Sequence, residues 1–358
     1  MRLFSKAQCY RGFLQAALVV GASATAAWGR YRSITPYNGS TIEQRTVSSC
    51  NGSIAGMPDG AWDSHLHVLD PVRYPPLPDA EYKPGVHTVW DNAIFEHGIG
   101  CEHVVMVQPS IYGTNNTLLM ESLRAYGPER ARGVVVLDVA DTTRAQLEEW
   151  DSIGVRGARI NLQSHDASEP TERLKDVLKQ HADAIGPFGW VLQLHARMEV
   201  VASLEAFIPT LGVRVAIDHF GHPTMPKPSG DPQDLDPYTI NGFGALVRLL
   251  QQGESWVKIS GAYRSSKVPG LDYRDMDPVA RELFRVAPSR VVYGSDWPHT
   301  RFEGLNIEPW NAHLLDLTEG NEELRRKLFR ENARELWSPR RRSLPNANVD
   351  PWHRRRQS

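Results

Sequence analysis

Three cysteines in 358 residues, Cys9, Cys50 and Cys101, are too few and too scattered for a disulfide framework, and the absence of any Cys-x-x-Cys spacing excludes a cysteine zinc site. Charge of one sign is also missing. The formal net charge is −2, so no global field draws the chain to nucleic acid or to an acidic membrane surface. No Gly-x-Gly-x-x-Gly follows the first apolar run and no phosphate-binding Lys motif occurs, which counts against nucleotide binding. The apolar stretch from Phe13 to Ala27 is shorter than the roughly 20 residues that span a bilayer, so stable membrane insertion is not expected. With these classes set aside, an enzyme acting on a small molecule is the default expectation, and the oligomeric state is left open, a homo-oligomer included.

The first forty-two residues lack Asp and Glu, carry Arg2, Lys6 and Arg11 early, and then turn apolar with small residues at Ala22, Ala24 and Ala26. That order reads as a cleavable targeting segment over residues 1–27. Export is favoured over mitochondrial import, although Arg30 and Arg32 extend the basic region. Residues 28–60 are rich in Ser, Asn, Gly and Thr without apolar periodicity and read as a linker. The folded body is expected over residues 61–337, and the basic, proline-punctuated residues 338–358 as a disordered tail.

Within the body, short apolar runs alternate with amphipathic stretches. The runs are Trp62 to Val68, His103 to Val107, Gly133 to Leu137, Gly157 to Ile160, Trp190 to Leu194, Arg214 to Ile217, Trp256 to Ile259 and Arg290 to Tyr293. Helical apolar spacing marks Asn116 to Ala125, Thr143 to Asp151, Thr171 to Ala184, Glu199 to Phe207, Gly242 to Gln252 and Pro278 to Val286. Strand–helix alternation implies parallel pairing, and parallel strands need cover on both faces. Eight units favour a closed (β/α)₈ TIM barrel, an α/β fold that needs roughly 250 residues. The insertion from Asp70 to Gly85, with five prolines, is expected to be a stiff loop over the barrel mouth.

In such a barrel the C-terminal strand ends carry the chemistry. His65 and His67 lie two apart at the end of the first strand, so alternation sends both to one face, where imidazoles bind a metal or donate to a carbonyl oxygen. Asp296 follows the eighth strand in Gly294-Ser295-Asp296-Trp297-Pro298-His299. Desolvation there would raise its pKa and suit a general base that activates water. His219 follows the sixth strand and His195 ends the fifth. Arg156, Arg159 and Arg264 end or follow strands four and seven, and guanidinium forks match a substrate carboxylate. Tyr82 and Ser110, with Tyr263, are weaker candidates for hydroxyl contacts. Each alone has a bland reading as a structural histidine, a cap or a surface ion pair; their convergence on one rim carries the weight.

The pieces Asp63-Ser64-His65-Leu66-His67, Gln108-Pro109-Ser110-Ile111-Tyr112-Gly113, Gly154-Val155-Arg156-Gly157-Ala158-Arg159, Ile217-Asp218-His219-Phe220-Gly221, Lys258-Ile259-Ser260 and the Gly294 to His299 run occur in this order. Together they resemble the 2-pyrone-4,6-dicarboxylate hydrolase-like, or lactonase, branch of the amidohydrolase superfamily, over about Trp62 to Trp337. The resemblance implies that Asp296 activates water, that His65, His67 and His219 polarise the scissile carbonyl, and that Arg156, Arg159 and Arg264 grip a carboxylated lactone. It also implies either no cofactor or a single divalent metal, zinc, on His65, His67, His195 and Asp296. The dicarboxylate hydrolase type has a tyrosine near the end of strand five and works without metal, whereas this chain has His195, as zinc-using relatives do. Two rivals remain: a zinc-dependent decarboxylase of aromatic or muconate-type acids on the same scaffold, and a catalytically inactive barrel acting as a binding protein.

Overall fold

The computed structural model describes residues 56–162 and 171–338. The targeting segment, nearly all of the linker and the basic tail lie outside the described residues. Eight parallel strands run in sequential order: β1 (Trp62–Leu66), β2 (His103–Val107), β3 (Ala131–Val135), β4 (Val155–Asn161), β5 (Val191–His195), β6 (Val215–Ile217), β7 (Ser255–Ile259) and β8 (Val291–Tyr293). The sheet closes where the chain leaving β8 meets β1: Asp296 N donates to His65 O at 2.8 Å and His67 N to Trp297 O at 2.8 Å. This is the expected barrel, with strand ends shifted by up to two residues.

Inward side chains divide by height. Val105, Val107, Val134, Val191, Ala216, Trp256 and Val292 pack with Ala333, Leu336 and Trp337 from the C-terminal helix Asn332–Leu336 and the residue after it. That helix therefore plugs the N-terminal end of the barrel, and Arg214 fastens it by donating to Glu335 O at 2.8 Å and Ser338 O at 2.9 Å. Burying each of the valines and Leu336 stabilises by roughly 2 kcal/mol. The outward faces of the strands bury Leu66, Val104, Met106, Ala158, Leu192, Leu194, Ile217, Val257 and Ile259 against the helices.

One helix escapes the apolar pattern. Val89–Ile99 is set by a Thr88–Asp91 capping box and stopped at Gly100, whose left-handed φ of 84° only glycine adopts freely. Its exposed side carries Trp90 and Ile94, at 55% and 44% exposure, while Asn92 and Glu96 are buried. Periodicity cannot find a helix that mixes polar and apolar residues on both its buried and its exposed side. The buried pair is partly satisfied: Asn92 Nδ2 donates to Glu96 Oε1 at 2.8 Å and Tyr126 Oη donates to Asn92 Oδ1 at 2.8 Å, while Glu96 Oε2 has no hydrogen-bond partner. Among the described residues no helix is long and apolar enough to cross a membrane.

Candidate active site

The site begins with an irregularity in β1. Trp62 pairs with His103 and Asp63 with Val104, but Leu66 pairs with Met106, so β1 holds one residue more than β2 over this stretch. Before the bulge Trp62 and Ser64 face inward, Ser64 Oγ accepting from Trp337 Nε1 at 3.2 Å. Strict alternation would then turn His65 and His67 outward. The extra residue re-aims both into the barrel, a common use of a bulge beside a site. Asp63 faces out, and its Oδ1 accepts from the backbone N–H of His65 and of Ser295, both at 2.9 Å, locking β1 to the chain after β8. Gly294 permits this approach, since a Cβ there would lie 2.9 Å from His65 Cβ.

His67 Nδ1 lies 2.8 Å from Val107 O. A carbonyl only accepts, so Nδ1 carries the proton and Nε2 presents a lone pair inward. His65 Nε2 is 3.3 Å from that Nε2, and each is 3.8 Å from Asp296 Oδ1. Oδ1 is buried and has no hydrogen-bond partner. The other oxygen, Oδ2, accepts from Tyr263 Oη at 2.7 Å and Arg264 Nε at 2.6 Å. His219 completes the group, with Nε2 at 4.0 Å from Asp296 Oδ2 and Nδ1 at 2.9 Å from Ser260 Oγ. His219, Phe220, His222, Asp296 and His299 all have φ between 52° and 63°, left-handed conformations that cost non-glycine residues energy and that collect at functional sites.

Beneath the histidines lies a second charged layer. Lys258 is fully buried, its Nζ donating to Gln193 Oε1 at 2.7 Å and standing 3.4 Å from Asp218 Oδ1. Gln193 Nε2 donates to Asp218 Oδ2 at 3.1 Å, and Arg159 Nε and His195 Nδ1 are each 3.5 Å from the same oxygen.

Burial and charge set the protonation states. Burial pushes Asp296 upward, but Arg264, His219, His65 and His67 overcome it and hold the carboxyl well below the usual carboxylate range. The expected rise from desolvation is therefore reversed: the sequence shows Trp297 and Pro298 beside Asp296 but not the guanidinium folded onto it. Asp218 is depressed in the same way, Lys258 and His65 outweighing burial. Burial lowers Lys258 to about 8 despite Asp218. It also holds His65, His67 and His219 below the ordinary histidine value and takes His195 to about 3, so all four are neutral near pH 7.

His65, His67, His219, Asp296 and Arg264 thus converge, with Arg159 beside them. Tyr82 lies at the rim: burial raises its hydroxyl, and Thr300, Arg159, Ser110 and Arg264 oppose the rise. Ser110 is exposed there. Two expectations need correction. Arg156, the second residue of β4, points outward near the N-terminal end, where Nη1 donates to Asp151 Oδ1 at 3.1 Å. Gly157, Arg159 and Asn161 are the inward positions of that strand, so Arg156 cannot reach the site. His195 turns to Asp218 and meets His219 edge-on at 5.2 Å, and it belongs to neither histidine–carboxylate group able to hold a cation. Gln193, Asp218 and the partnership of Lys258 were not anticipated as parts of the site. Alternation back from His195 and Ser260 marks Gln193 and Lys258 as inward.

A single divalent metal fits the residues present. The ligand atoms of His65, His67 and Asp296 lie within 4.8 Å of one another, and the orphaned Asp296 Oδ1 is the atom such an ion would satisfy. Two imidazoles and a carboxylate suit zinc.

The amidohydrolase family model matches residues 62–338. The 4-sulfomuconolactone hydrolase of Hydrogenophaga intermedia is 31% identical over 291 residues, 78% of this chain and 89% of that protein. The 2-pyrone-4,6-dicarboxylate hydrolase of Comamonas testosteroni is 27% identical, covering 79% and 92%. A crystal structure of an amidohydrolase from Burkholderia multivorans with bound zinc shares the fold at a TM-score of 0.59 and 17% identity, over 78% of this chain and 99% of that one. With the barrel, its closure and the family match in agreement, this chain belongs to the amidohydrolase family.

Proposed function

We propose that this protein is a hydrolase that opens the ring ester of a small carboxylated lactone. One observation carries the reading: a buried carboxylate, Asp296, has one oxygen clamped by Tyr263 and Arg264 and the other unbonded, facing two imidazole nitrogens. The clamp fixes the carboxylate, and the free Oδ1 is positioned to take a proton from water. The Hydrogenophaga and Comamonas relatives are named for a sulfomuconolactone and a pyrone dicarboxylate, and among the described residues the three buried or near-buried cations Arg159, Lys258 and Arg264 pair with two carboxylates, Asp218 and Asp296. That excess suits an anionic substrate. Arg264 donates Nε to Asp296, stacks over the Tyr263 and Phe302 rings and makes long 3.4 and 3.5 Å contacts to Thr300 through Nη2, whose remaining donor capacity can meet a substrate carboxylate together with Arg159. Tyr82 and Ser110 supply hydroxyls at the rim.

Water oxygen bonds to the ester carbonyl carbon as its proton passes to Asp296 Oδ1. His219, with Ser260 Oγ donating to its Nδ1 and its Nε2–H turned to the site, polarises the carbonyl and stabilises the tetrahedral oxyanion, the term that commonly contributes most, while the Nε2 lone pairs of His65 and His67 are the ones that would hold a cation. The ring C–O bond then breaks, the proton moves from Asp296 to the departing ring oxygen, and the new carboxylic acid ionises. Bound by His65, His67 and Asp296, zinc would supply Lewis-acid polarisation of the carbonyl.

A pH-indicator screen of carboxylated lactones on the wild type and Asp296→Asn tests the reading. Acid release with a product heavier by one water, reduced about 10²–10⁴-fold in the variant, is expected. Loss of a carbon as carbon dioxide, with no acid release from any lactone, would replace it with decarboxylation.

A further inference from the structure

Two groups compete for one nitrogen of His65. Lys258 Nζ and Asp218 Oδ1 both stand 3.3 Å from His65 Nδ1, and all three residues are fully buried. The ammonium can only donate and the carboxylate can only accept, so each demands a different tautomer of the ring. If Lys258 donates to Nδ1, the ring proton sits on Nε2 and points at the lone pair of His67 Nε2, 3.3 Å away. A continuous donor chain then runs from Lys258 through His65 and His67 to Val107 O, and the two Nε2 lone pairs needed by a cation are not both present. If instead Nδ1–H donates to Asp218, both Nε2 lone pairs face the space in front of Asp296 Oδ1, where a cation is accepted.

We infer that Lys258 and Asp218 act as opposed positioning residues that choose the tautomer of His65 and thereby set the affinity of the His65–His67–Asp296 group for a divalent cation. The ammonium has three protons and meets three acceptors, Gln193 Oε1, Asp218 Oδ1 and His65 Nδ1. Turning Nδ1–H toward it would set donor against donor, so Lys258 favours the tautomer that excludes metal. Lys258 also occupies the second cation-competent group, His65, Asp218 and His219, because its ammonium already lies against the first two. A metal is thereby confined to the Asp296 side. Neither step depends on the lactone reading, since both are measured without substrate.

The test uses the full chain, stripped of metal, with histidine ring ¹⁵N–¹H correlation spectra assigned through His65→Gln, and zinc affinity from chelator competition. The wild type is expected to carry the His65 proton on Nε2. Lys258→Met should move it to Nδ1 and tighten zinc binding about tenfold to hundredfold, the usual scale for groups that orient a metal ligand. Asp218→Asn should keep it on Nε2 and weaken zinc by a similar factor. Removing a buried positive charge could tighten zinc by itself, so the tautomer decides: an Nδ1 proton in the wild type, or the same tautomer in wild type and Lys258→Met, overturns the inference. Should Lys258→Met not fold, an unchanged zinc affinity in Asp218→Asn overturns it.

Discussion

The two halves of the barrel interior are built from opposite materials. The N-terminal half is sealed by valines, Trp256 and the Trp337 plug, a mostly apolar layer in which Trp337 Nε1 is bonded to Ser64 and Trp256 Nε1 is left without a partner. The C-terminal half holds His65, His67, His195, His219, Asp218, Asp296, Arg159 and Lys258; Asp296 Oδ1 has no hydrogen-bond partner there, and Asp218 Oδ1 and His195 Nδ1 have only ion-pair contacts at 3.3 to 3.5 Å. Unsatisfied buried polar groups cost stability, so the upper half is a place where stability is given up for chemistry and the lower half is where it is recovered.

Substitutions in each half and a pH series sharpen that contrast. Trp337→Ala should have the largest effect on folding, about 3–5 kcal/mol from the cavity it leaves, with little change in the kcat of the molecules that remain folded. Urea unfolding with parallel kinetics checks it, and a kcat loss as large as the stability loss would merge the two halves. At the other end, His67→Ala, which removes a candidate ligand of the His65–His67–Asp296 group, should cut lactone turnover about 10²-fold while the urea midpoint moves little. Arg159→Gln should raise KM about tenfold, whereas Arg156→Gln, at the lower end of the same strand, should leave KM unchanged. A KM change in Arg156→Gln would contradict its placement.

The pH dependence of stability should also come from the upper half. Folding holds His195 near a pKa of about 3 and His222 near about 4, mainly by burial, against an ordinary value of 6.5. The unfolded chain therefore binds protons that the folded chain refuses. Stability from these groups is complete above 6.5 and falls as pH drops toward 4, by about 1.4 kcal/mol per pH unit for each histidine. His222→Gln should lower that slope by one histidine's share in denaturant melts run across this range. The smallest effect is expected from Arg156→Gln on stability, below about 1 kcal/mol, as its ion pair to Asp151 is only partly buried.

Much of this could be read in the chain because period-two and period-3.6 patterns report burial directly. The alternation of Val191, Gln193 and His195 marks inward positions wherever both faces of a strand are covered. It also separates Arg159 from Arg156, three residues apart and so on opposite faces, a distinction that grouping arginines by motif overlooks. The Val89–Ile99 helix was hidden because polar Asn92 and Glu96 share its buried side with Ile99 while apolar Trp90 and Ile94 are exposed. Shifts in strand ends follow from hydrogen bonding to neighbours that are distant in sequence.

By itself the sequence determined eight alternating strand–helix units, hence a parallel barrel with one functional rim, and placed His65, His67, His219 and Asp296 on that rim. Local periodicity is enough for this, since it fixes which residues must avoid water. Only the tertiary structure decided that an extra residue in β1 turns the histidine pair inward, that Arg264 folds onto Asp296 and lowers rather than raises its pKa, and that Lys258 and Asp218 meet at His65. Each of these depends on through-space distances of a few ångströms between strands more than thirty residues apart, and electrostatic and hydrogen-bond energies are set by those distances and not by spacing along the chain.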